Sequence, residues 1–339
     1  MINRITWLDY TKGILIILVV LGHSVQCARI QLGQDCLHDY IWRIIYSFHM
    51  PAFMAVSGYV AYRGKRMGGG KKCLNTIWRR FRQLMIPFLL WSIPLFFVRH
   101  NVEHYYEYIL TPNLSLWFLW ALFFITAIFN MLDWLIEKIR VPKVVVVSVA
   151  TVALMGLMVV LPDAKLLGAE YIAYYFFFYI LGYYMHQYGL VSKLSTFWIV
   201  VLAVVWFALA QFWEARETPS ILRGMTFVPA IALQTGYRMV TAVIAIFALI
   251  GAMERRSDDM SKVSKVVIKL GQVSLGIYAI HMVVRFALVD GIQYLIPGLS
   301  YRPLMIITFC MLLPISFFVV WLLGKWSVTS VWLLGKLNK

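Results

Sequence analysis

Charged residues are scarce in this chain. Only 14% of its 339 residues are Asp, Glu, Lys or Arg, whereas 62% are hydrophobic. Soluble domains carry about 25% charged residues, so this scarcity excludes a soluble globular protein. Together with the mean hydropathy of +0.77, it predicts an integral membrane protein that crosses the bilayer several times.

Acidic residues are rarer than basic ones. The chain has 15 Asp and Glu against 31 Lys and Arg, which gives a formal net charge of +16. Such a balance can indicate nucleic-acid binding, but here the basic residues lie in short clusters between apolar runs, where the positive-inside rule places them. We therefore expect the lipid bilayer as a partner and no nucleic acid.

Cysteine is also uncommon, with four residues in the chain. Their spacing matches no metal-binding motif, so we predict no metal site and no permanently bound cofactor. Cys27 and Cys36 flank the first short link between apolar runs. They can form a disulfide if that link faces an oxidising compartment, or stay as two free thiols, and the sequence leaves both possibilities open.

Ten apolar runs approach the roughly 20 residues that a membrane-spanning helix needs. They lie at 10–27, 40–62, 81–98, 114–132, 144–161, 170–186, 197–213, 232–252, 271–290 and 303–324. The links rich in Lys and Arg, at 63–82, 138–143 and 255–269, fall on one side of the membrane together with both ends of the chain. By the positive-inside rule that side is the cytoplasm.

These observations predict one membrane-embedded domain over residues 1–339. The predicted fold is all-α: a polytopic integral membrane helical bundle of about ten transmembrane helices, with both termini cytoplasmic. No small-residue cleavage site follows the first run. We therefore expect that run to be kept as a helix rather than removed as a signal peptide.

The first run, "RITWLDYTKGILIILVVLGHS", carries three ionisable residues. Lys12 and His23 are eleven positions apart, which places them within about 20° of one helix face and about 16 Å apart along the axis. Asp9 lies on the same face, one turn before Lys12. Ionisable groups at membrane depth are costly and usually functional. The alternative is that Lys12 only snorkels to the interface and that His23 only bonds a neighbouring helix.

Two further histidines fall within apolar runs. His49, in "YSFHMPAFMAVSGYV", is predicted about 13 Å below the outer surface, at a depth similar to that of His23 on the antiparallel neighbour. Pro51 should loosen the backbone there, and Ser57 with the following glycine allows close helix approach or ligand access. His281 lies near the middle of the ninth run, and Arg285 follows one turn later on the same face. A buried arginine is expected to meet an acid or the negative group of a ligand.

These residues carry a resemblance to the acyltransferase 3 family of integral-membrane acyltransferases. The opening "WLDYTKGILIILVVLGH" resembles the family signature of a basic residue, ten positions and a histidine, here Lys12 to His23. "SFHMPAFMAVSGYV" is similar to the fucose 4-O-acetylase-like branch. "LWFLWALF" at Trp117, "YYFFFYILGYYM" at Gly182 and "SLGIYAIH" ending at His281 are similar to weaker family patterns. Many members carry Arg at the position of Lys12, and lysine offers a point charge rather than a bidentate fork.

The resemblance implies a membrane O-acyltransferase in the bacterial cytoplasmic (inner) membrane. It implies transfer of an acetyl or similar short acyl group from cytoplasmic acyl-CoA, acetyl-CoA above all, to a hydroxyl of a cell-surface or exported glycan. The implied partners are therefore acyl-CoA and a glycan or lipid-linked sugar acceptor. Neither the acceptor nor the oligomeric state follows from the sequence.

The resemblance and the helix positions together suggest roles for individual residues. His23 is predicted to be the general base, since an imidazole titrates near neutral pH, while a covalent acyl-histidine is equally allowed. His49 or His281 would stabilise the oxyanion or orient the sugar. The predicted substrate-binding and acyl-CoA-binding residues are Lys12, Asp9, Arg79, Arg80, Arg82, Ser57, Trp117 and Arg285. For Trp117 an aromatic belt at the membrane interface is an equally good interpretation.

Two other classes of function compete with the acyltransferase. A transporter or flippase for a sugar-linked or anionic lipid would also place His and Arg inside the membrane. A non-catalytic scaffold of a polysaccharide export complex would give the three histidines no task. Consumption of a thioester by the purified protein separates the first hypothesis from both.

Overall fold

The computed structural model describes residues 5–62, 64, 69–99, 103–139, 142–160, 166–256 and 261–336. Within these ranges the chain forms α-helices and short 3₁₀ turns, without β-strands, which confirms the all-α prediction. The helices are α1 Thr6–Gln31, α2 Tyr40–Tyr46, α3 His49–Ala61, α4 Gly70–Arg99, α5 Tyr106–Leu110, α6 Trp117–Ile139, α7 Lys143–Val160, α8 Ala169–Tyr188, α9 Thr196–Ala210, α10 Ala230–Glu254, α11 Lys262–Gln272, α12 Ser274–Leu295, α13 Tyr301–Leu323 and α14 Ser327–Trp332.

Seven helical segments of the described ranges are long and apolar enough to cross a membrane. They are α1, α2 taken together with α3, α4, α6, α10, α12 and α13. This confirms a polytopic membrane protein. The three other predicted runs also form helices, namely α7, α8 and α9, of which α9 has 15 residues and α8 is rich in tyrosine. The count of ten spans and the cytoplasmic location of both termini stay predictions.

The predicted helix at 40–62 is broken in two. α2 ends at Tyr46 and α3 begins at His49. Pro51 causes the break, because in one continuous helix it would offer no N–H to the carbonyl of Ser47 and its ring would clash with that carbonyl. The break makes His49 the first residue of α3 and turns α2 away from the α3 axis.

Glycines allow two helix pairs to pack backbone against backbone. A Cβ placed on Gly58 of α3 would lie 1.8 Å from the carbonyl oxygen of Tyr179 in α8, and one on Gly182 of α8 would lie 1.8 Å from the carbonyl oxygen of Ala55. Only glycine fits at such distances, as in small-residue contacts between membrane helices. The expected close approach at Gly58 is therefore present.

The same type of contact joins α1 to α11. A Cβ on Gly13 would lie 2.0 Å from the carbonyl oxygen of Val267, and one on Gly271 would lie 1.7 Å from that of Asp9. The sequence predicted a basic link up to position 269, but residues 262–272 form a helix that packs along the first turns of α1. α11 leads directly into α12 at Val273.

A charged cluster joins α1, α2 and α13 at the opposite end of α1. Nη2 of Arg29 lies 2.7 Å from Oδ2 of Asp39, and the Tyr301 hydroxyl donates to the same oxygen at 2.6 Å. Burial alone would raise the pKa of Asp39, but the hydrogen bonds from Tyr301 and Arg29 outweigh it and lower the pKa of this carboxyl. Nearby, Cys27 and Cys36 are two buried free thiols.

The segment after α13 turns back against α4. Nε1 of Trp91 donates a hydrogen bond of 2.9 Å to the carbonyl oxygen of Leu333, and the Leu334 side chain is buried in the main hydrophobic core. Gly335 has φ +63°, and a Cβ there would lie 2.2 Å from the carbonyl oxygen of Gln83. This tail, residues 333–336, is therefore held on the surface of α4.

Candidate active site

A cavity of about 640 Å³ extends from Lys12 into the helical bundle. We call it the donor cavity. Along α1 it is lined by Lys12 and Ile16, and along α12 by Ser274 and Tyr278. Both directions lead toward the histidines, since His23 and His281 lie further along the same two helices. The remaining lining comes from α3, α4, α6, α8, α11, α12 and the tail: Met50, Phe53, Val56, Ser57, Val60, Arg80, Gln83, Leu84, Phe118, Leu122, Thr126, Tyr179, Gly271, Gln272, Leu275, Leu334, Gly335 and Lys336.

The donor cavity is cationic near Lys12 and apolar deeper in the bundle. Lys12, Arg80 and Lys336 supply the positive charge, and Asp9 partly balances it through an ion pair of 3.2 Å with Lys12. Further in, the walls are mostly aliphatic and aromatic. At the inner end the Tyr278 hydroxyl accepts a hydrogen bond from the backbone N–H of Phe118 at 3.3 Å. The shape suits a ligand with an anionic head and a long, less polar arm.

His23 lies where α1 meets α12. Nδ1 of its imidazole is 2.6 Å from Nη1 of Arg285 and 2.9 Å from Oε1 of Gln26. A guanidinium can only donate hydrogen bonds, so in this geometry Nδ1 accepts from Arg285 and the ring proton of neutral His23 is on Nε2. The lone pair of Nδ1 therefore accepts a hydrogen bond from a cation. Once Nδ1 is protonated, the amide oxygen of Gln26 can accept a hydrogen bond from it.

His281 stands beside His23 and is held in one orientation. The two ring centroids are 5.1 Å apart. Nδ1 of His281 is 3.0 Å from the carbonyl oxygen of Ile277, so this nitrogen donates and Nε2 carries the lone pair. His281 is fully buried, and its Nε2 has no hydrogen-bond partner among the described residues. Nε of the buried Arg285 is in the same situation.

His49 contacts the same tyrosine ring as His23. The Tyr46 ring contacts both imidazoles, at 6.4 Å from the centroid of His23 and 4.7 Å from that of His49. Nδ1 of His49 is 2.7 Å from the carbonyl oxygen of Ile45, which also accepts from the backbone N–H of Phe48 at 3.4 Å in the break before α3. The structure thus brings His23 together with His281 and Arg285, and the Tyr46 ring contacts the imidazoles of both His23 and His49.

A second, smaller cavity of about 80 Å³ borders Arg285 on the far side from Lys12. We call it the arginine cavity. Its polar lining consists of Gln26, Gln31, Arg99, Arg285 and Asp290. Gln26 and Arg285 are the two residues that face Nδ1 of His23. The imidazole therefore lies next to this cavity, with the donor cavity approaching from the other end of α1.

The structure brings some of the predicted binding residues to the donor cavity or to His23 and places the others elsewhere. Lys12, Ser57 and Arg80 line the donor cavity, whereas Arg285 contacts His23. Asp9 is buried and pairs with Lys12 instead of lining the cavity. The others lie elsewhere: Arg79 and Arg82 are exposed on other faces of α4, and Trp117 stacks on Tyr171 and Tyr175 at 4.6 and 5.0 Å.

Sequence reasoning missed several residues that border the site. Gln26 follows His23 by one helical turn, so the spacing that placed Lys12 and Asp9 on one face would also have indicated it. Arg99 and Asp290 lie at helix ends, where polar residues are ordinary. Lys336 reaches the donor cavity only because the tail folds back, and nothing in the local sequence indicates that path.

Comparisons with known proteins identify the family of this chain. Residues 5–325 match the family model described as "Acyltransferase domain". A nodulation protein NolL of Mesorhizobium japonicum is 27% identical over 313 residues, which cover 86% of this chain and 79% of that protein. NolL of Sinorhizobium fredii is 31% identical over 163 residues, 45% of this chain and 44% of that protein. No solved structure matches. Since the family model covers nearly the whole chain, the protein belongs to the acyltransferase 3 family of membrane acyltransferases.

Proposed function

We propose that the protein transfers an acyl group, acetyl being the simplest, from cytoplasmic acyl-CoA to a hydroxyl of a glycan. The observation that carries the proposal is the contact of Arg285 with His23 between two cavities. The donor cavity approaches this contact from the Lys12 end, and the arginine cavity borders it on the other side. In this proposal the thioester extends from the donor cavity at Tyr278, one helical turn from His281, and the hydroxyl enters from the arginine cavity, so that both meet at the His23 imidazole.

The charge distribution supports an acyl-CoA donor. Lys12 and Arg80 make one end of the donor cavity cationic, which favours a phosphate-bearing donor. The mostly apolar interior, with Ser57 and Tyr278 as polar side chains, suits the pantetheine arm and the thioester. The acyl carbon would then lie near Tyr278, one helical turn from His281.

The acceptor is proposed to enter through the arginine cavity. Its polar lining by Gln26, Arg99 and Asp290 suits hydroxyl groups of a sugar. The acceptor hydroxyl would approach Nδ1 of His23, since both neighbours of that nitrogen line the cavity. The relatives named nodulation protein NolL are consistent with a carbohydrate-linked task, and the acceptor itself is left open.

The proposed reaction uses His23 as the general base. When Arg285 moves its hydrogen bond to the thioester carbonyl, Nδ1 of His23 is released and takes the proton of the acceptor hydroxyl. The hydroxyl oxygen bonds to the acyl carbon, and Arg285 stabilises the oxyanion of the tetrahedral intermediate. The carbon–sulfur bond then breaks, and the imidazolium, held by Gln26, returns the proton to sulfur as free coenzyme A leaves.

The test measures release of free coenzyme A thiol by the purified protein. Acetyl-CoA is supplied with and without a cell-envelope glycan extract, and the acylated glycan is detected by mass spectrometry. Thiol release that depends on the extract and yields an ester supports the proposal. If acetyl-, propionyl- and succinyl-CoA are all left intact while the protein moves a lipid-linked sugar across vesicle membranes, the proposal is wrong and the transporter hypothesis replaces it.

A further inference from the structure

Three lysines from different parts of the chain line one cavity beside the donor cavity. This lysine cavity has a volume of about 320 Å³, and its charged residues are Lys269, Lys325 and Lys336. Lys269 is in the last turn of α11, Lys325 follows α13, and Lys336 belongs to the tail. Their convergence depends on the tertiary fold, since 67 residues of sequence separate the first from the last.

No acid of the described residues balances these lysines. Among the described residues, every ion pair involves other side chains, so none of the three ammonium groups has a carboxylate within 4 Å. Nζ of Lys325 lies 3.8 Å from the centroid of the Trp321 ring, which also lines the cavity. Like charges that share a cavity repel each other, and a bound anion would remove that cost.

Topology alone explains basic residues near this membrane face but not their grouping. Lys262 and Lys265, on the same helix as Lys269, are exposed, as are the three lysines of the cavity. Lys262 and Lys265 line none of the cavities described above, as expected of lysines that only mark the cytoplasmic side. Lys269, Lys325 and Lys336 instead face a common space that also presents the indole of Trp321. An indole next to cations is a suitable surface for a nucleotide.

The lysine cavity and the donor cavity share a wall. Gln272 and Lys336 line both of them. A single ligand can therefore place one end in the lysine cavity and extend its other end past Gln272 toward Tyr278. Acyl-CoA has this form, with a phosphorylated nucleotide at one end and a thioester on a long arm at the other.

We propose that the lysine cavity binds the nucleotide phosphates of the acyl-CoA donor, while the donor cavity holds its acyl-pantetheine arm. This inference rests on the proposed function. It moves the main phosphate site from the predicted α4 arginines to α11, the end of α13 and the tail. Lys12 and Arg80 then border the arm rather than the nucleotide.

The test is equilibrium binding of coenzyme A, and separately of pantetheine, to the purified protein in a neutral detergent. The variant is Lys269→Ala/Lys325→Ala, and the control is Lys262→Ala/Lys265→Ala, which removes the same charge from the same region. We expect the variant to weaken coenzyme A binding by at least about tenfold, because two charge-assisted contacts are lost. Pantetheine has no phosphate, so its binding should be unchanged, and the control should bind both ligands like the wild type.

The outcomes separate the inference from the function on which it rests. Wild-type protein that neither binds coenzyme A nor cleaves acetyl-CoA contradicts the proposed function. If the wild type binds coenzyme A and the variant binds it with the same affinity, the inference alone is contradicted. A second arm uses nanodiscs of phosphatidylcholine with or without phosphatidylglycerol. If the variant loses phosphatidylglycerol binding but keeps coenzyme A binding, the cavity binds lipid phosphate and the donor assignment is wrong.

Discussion

Nη1 of Arg285 contacts Nδ1 of His23 at 2.6 Å, although the two residues are 262 positions apart. The other polar neighbour of this guanidinium is Gln26, at 3.5 Å. Among the described residues, a buried arginine is thus paired with a neutral imidazole and an amide instead of a carboxylate. Its charge stays available to a developing anion, which is the state expected of an oxyanion-stabilising group before substrate binds.

Replacing the proposed base should abolish turnover while the fold is kept. We expect His23→Ala to lower the rate of coenzyme A release by about 10²–10⁴-fold, the usual contribution of general base catalysis. Thiol release in detergent measures this. His38→Ala is the control, because its side chain is 66% exposed outside the site and its loss should leave the rate unchanged. Full activity of His23→Ala combined with loss in His281→Ala would transfer the role of base to His281.

Arg285→Lys should separate catalysis from donor binding. The lysine keeps the charge but loses the fork that reaches both His23 and the carbonyl. We expect kcat to fall by about 10²-fold, as for loss of one oxyanion donor, while KM for acetyl-CoA stays near the wild-type value because Arg285 does not line the donor cavity. A rise in KM without a change in kcat would show that Arg285 only binds substrate. Arg302→Lys, on the exposed start of α13, controls for the substitution.

The contact of α3 with α8 should not tolerate a methyl group. In Gly58→Ala the new Cβ would lie 1.8 Å from a backbone oxygen, so the helices must separate, at a cost of about 1–3 kcal/mol. A lower midpoint of thermal unfolding in detergent is expected. Gly291→Ala is the matched control, since no atom lies within 4 Å of its added Cβ. Equal midpoints for the two variants would contradict the packing described for α3 and α8.

Asp39 should make stability depend on acidic pH. Its pKa in the folded protein is below the ordinary value, so the unfolded state binds more protons in the interval between the two pKa values. The stabilisation is therefore complete above the unfolded pKa of about 3.9 and is lost as the pH falls through the folded pKa. The wild type should exceed Asp39→Asn in thermal stability at pH 7, and the difference should shrink below about pH 4.

Thermal unfolding followed at several pH values checks this expectation. Tyr301→Phe removes one of the two side chains that donate to Asp39. It should reduce the pH dependence without abolishing it, since Arg29 and the backbone N–H groups of Ile41 and Trp42 remain. A difference between wild type and Asp39→Asn that is constant from pH 7 to pH 3.5 would contradict the argument.

Sequence reasoning located the site along each helix but not between helices. The depth of His23 and His281 followed from the 1.5 Å rise per residue, and the structure brings both together with Arg285. Their contacts depend on the rotation of each helix and on which helices are neighbours, and neither follows from spacing within one run. The expected approach of His49 to His23 stays a prediction. The Tyr46 ring contacts both imidazoles, and the position of this ring could not be derived from spacing along one run.

The α4 arginines show the limit of charge patterns. Topology requires a basic link after the second run, but it does not say which of its residues face inward. Among the described basic residues of this link, Arg80 alone lines the donor cavity, and it shares a helix face with Gln83 and Leu84. Lys336 could not be predicted at all, because its position depends on the tail lying against α4 through Trp91 and Gly335.

The glycine contacts between α1 and α11 determine which helices can move relative to each other. α11 continues into α12 at Val273, so the backbone contacts at Gly13 and Gly271 tie the helix bearing His23 to the one bearing His281 and Arg285. The wall formed by α1, α11 and α12 is therefore expected to keep its geometry during turnover. Any widening of the donor cavity for a bulky thioester is then expected on the opposing side. That side is α4 with the tail, which Trp91 holds on it.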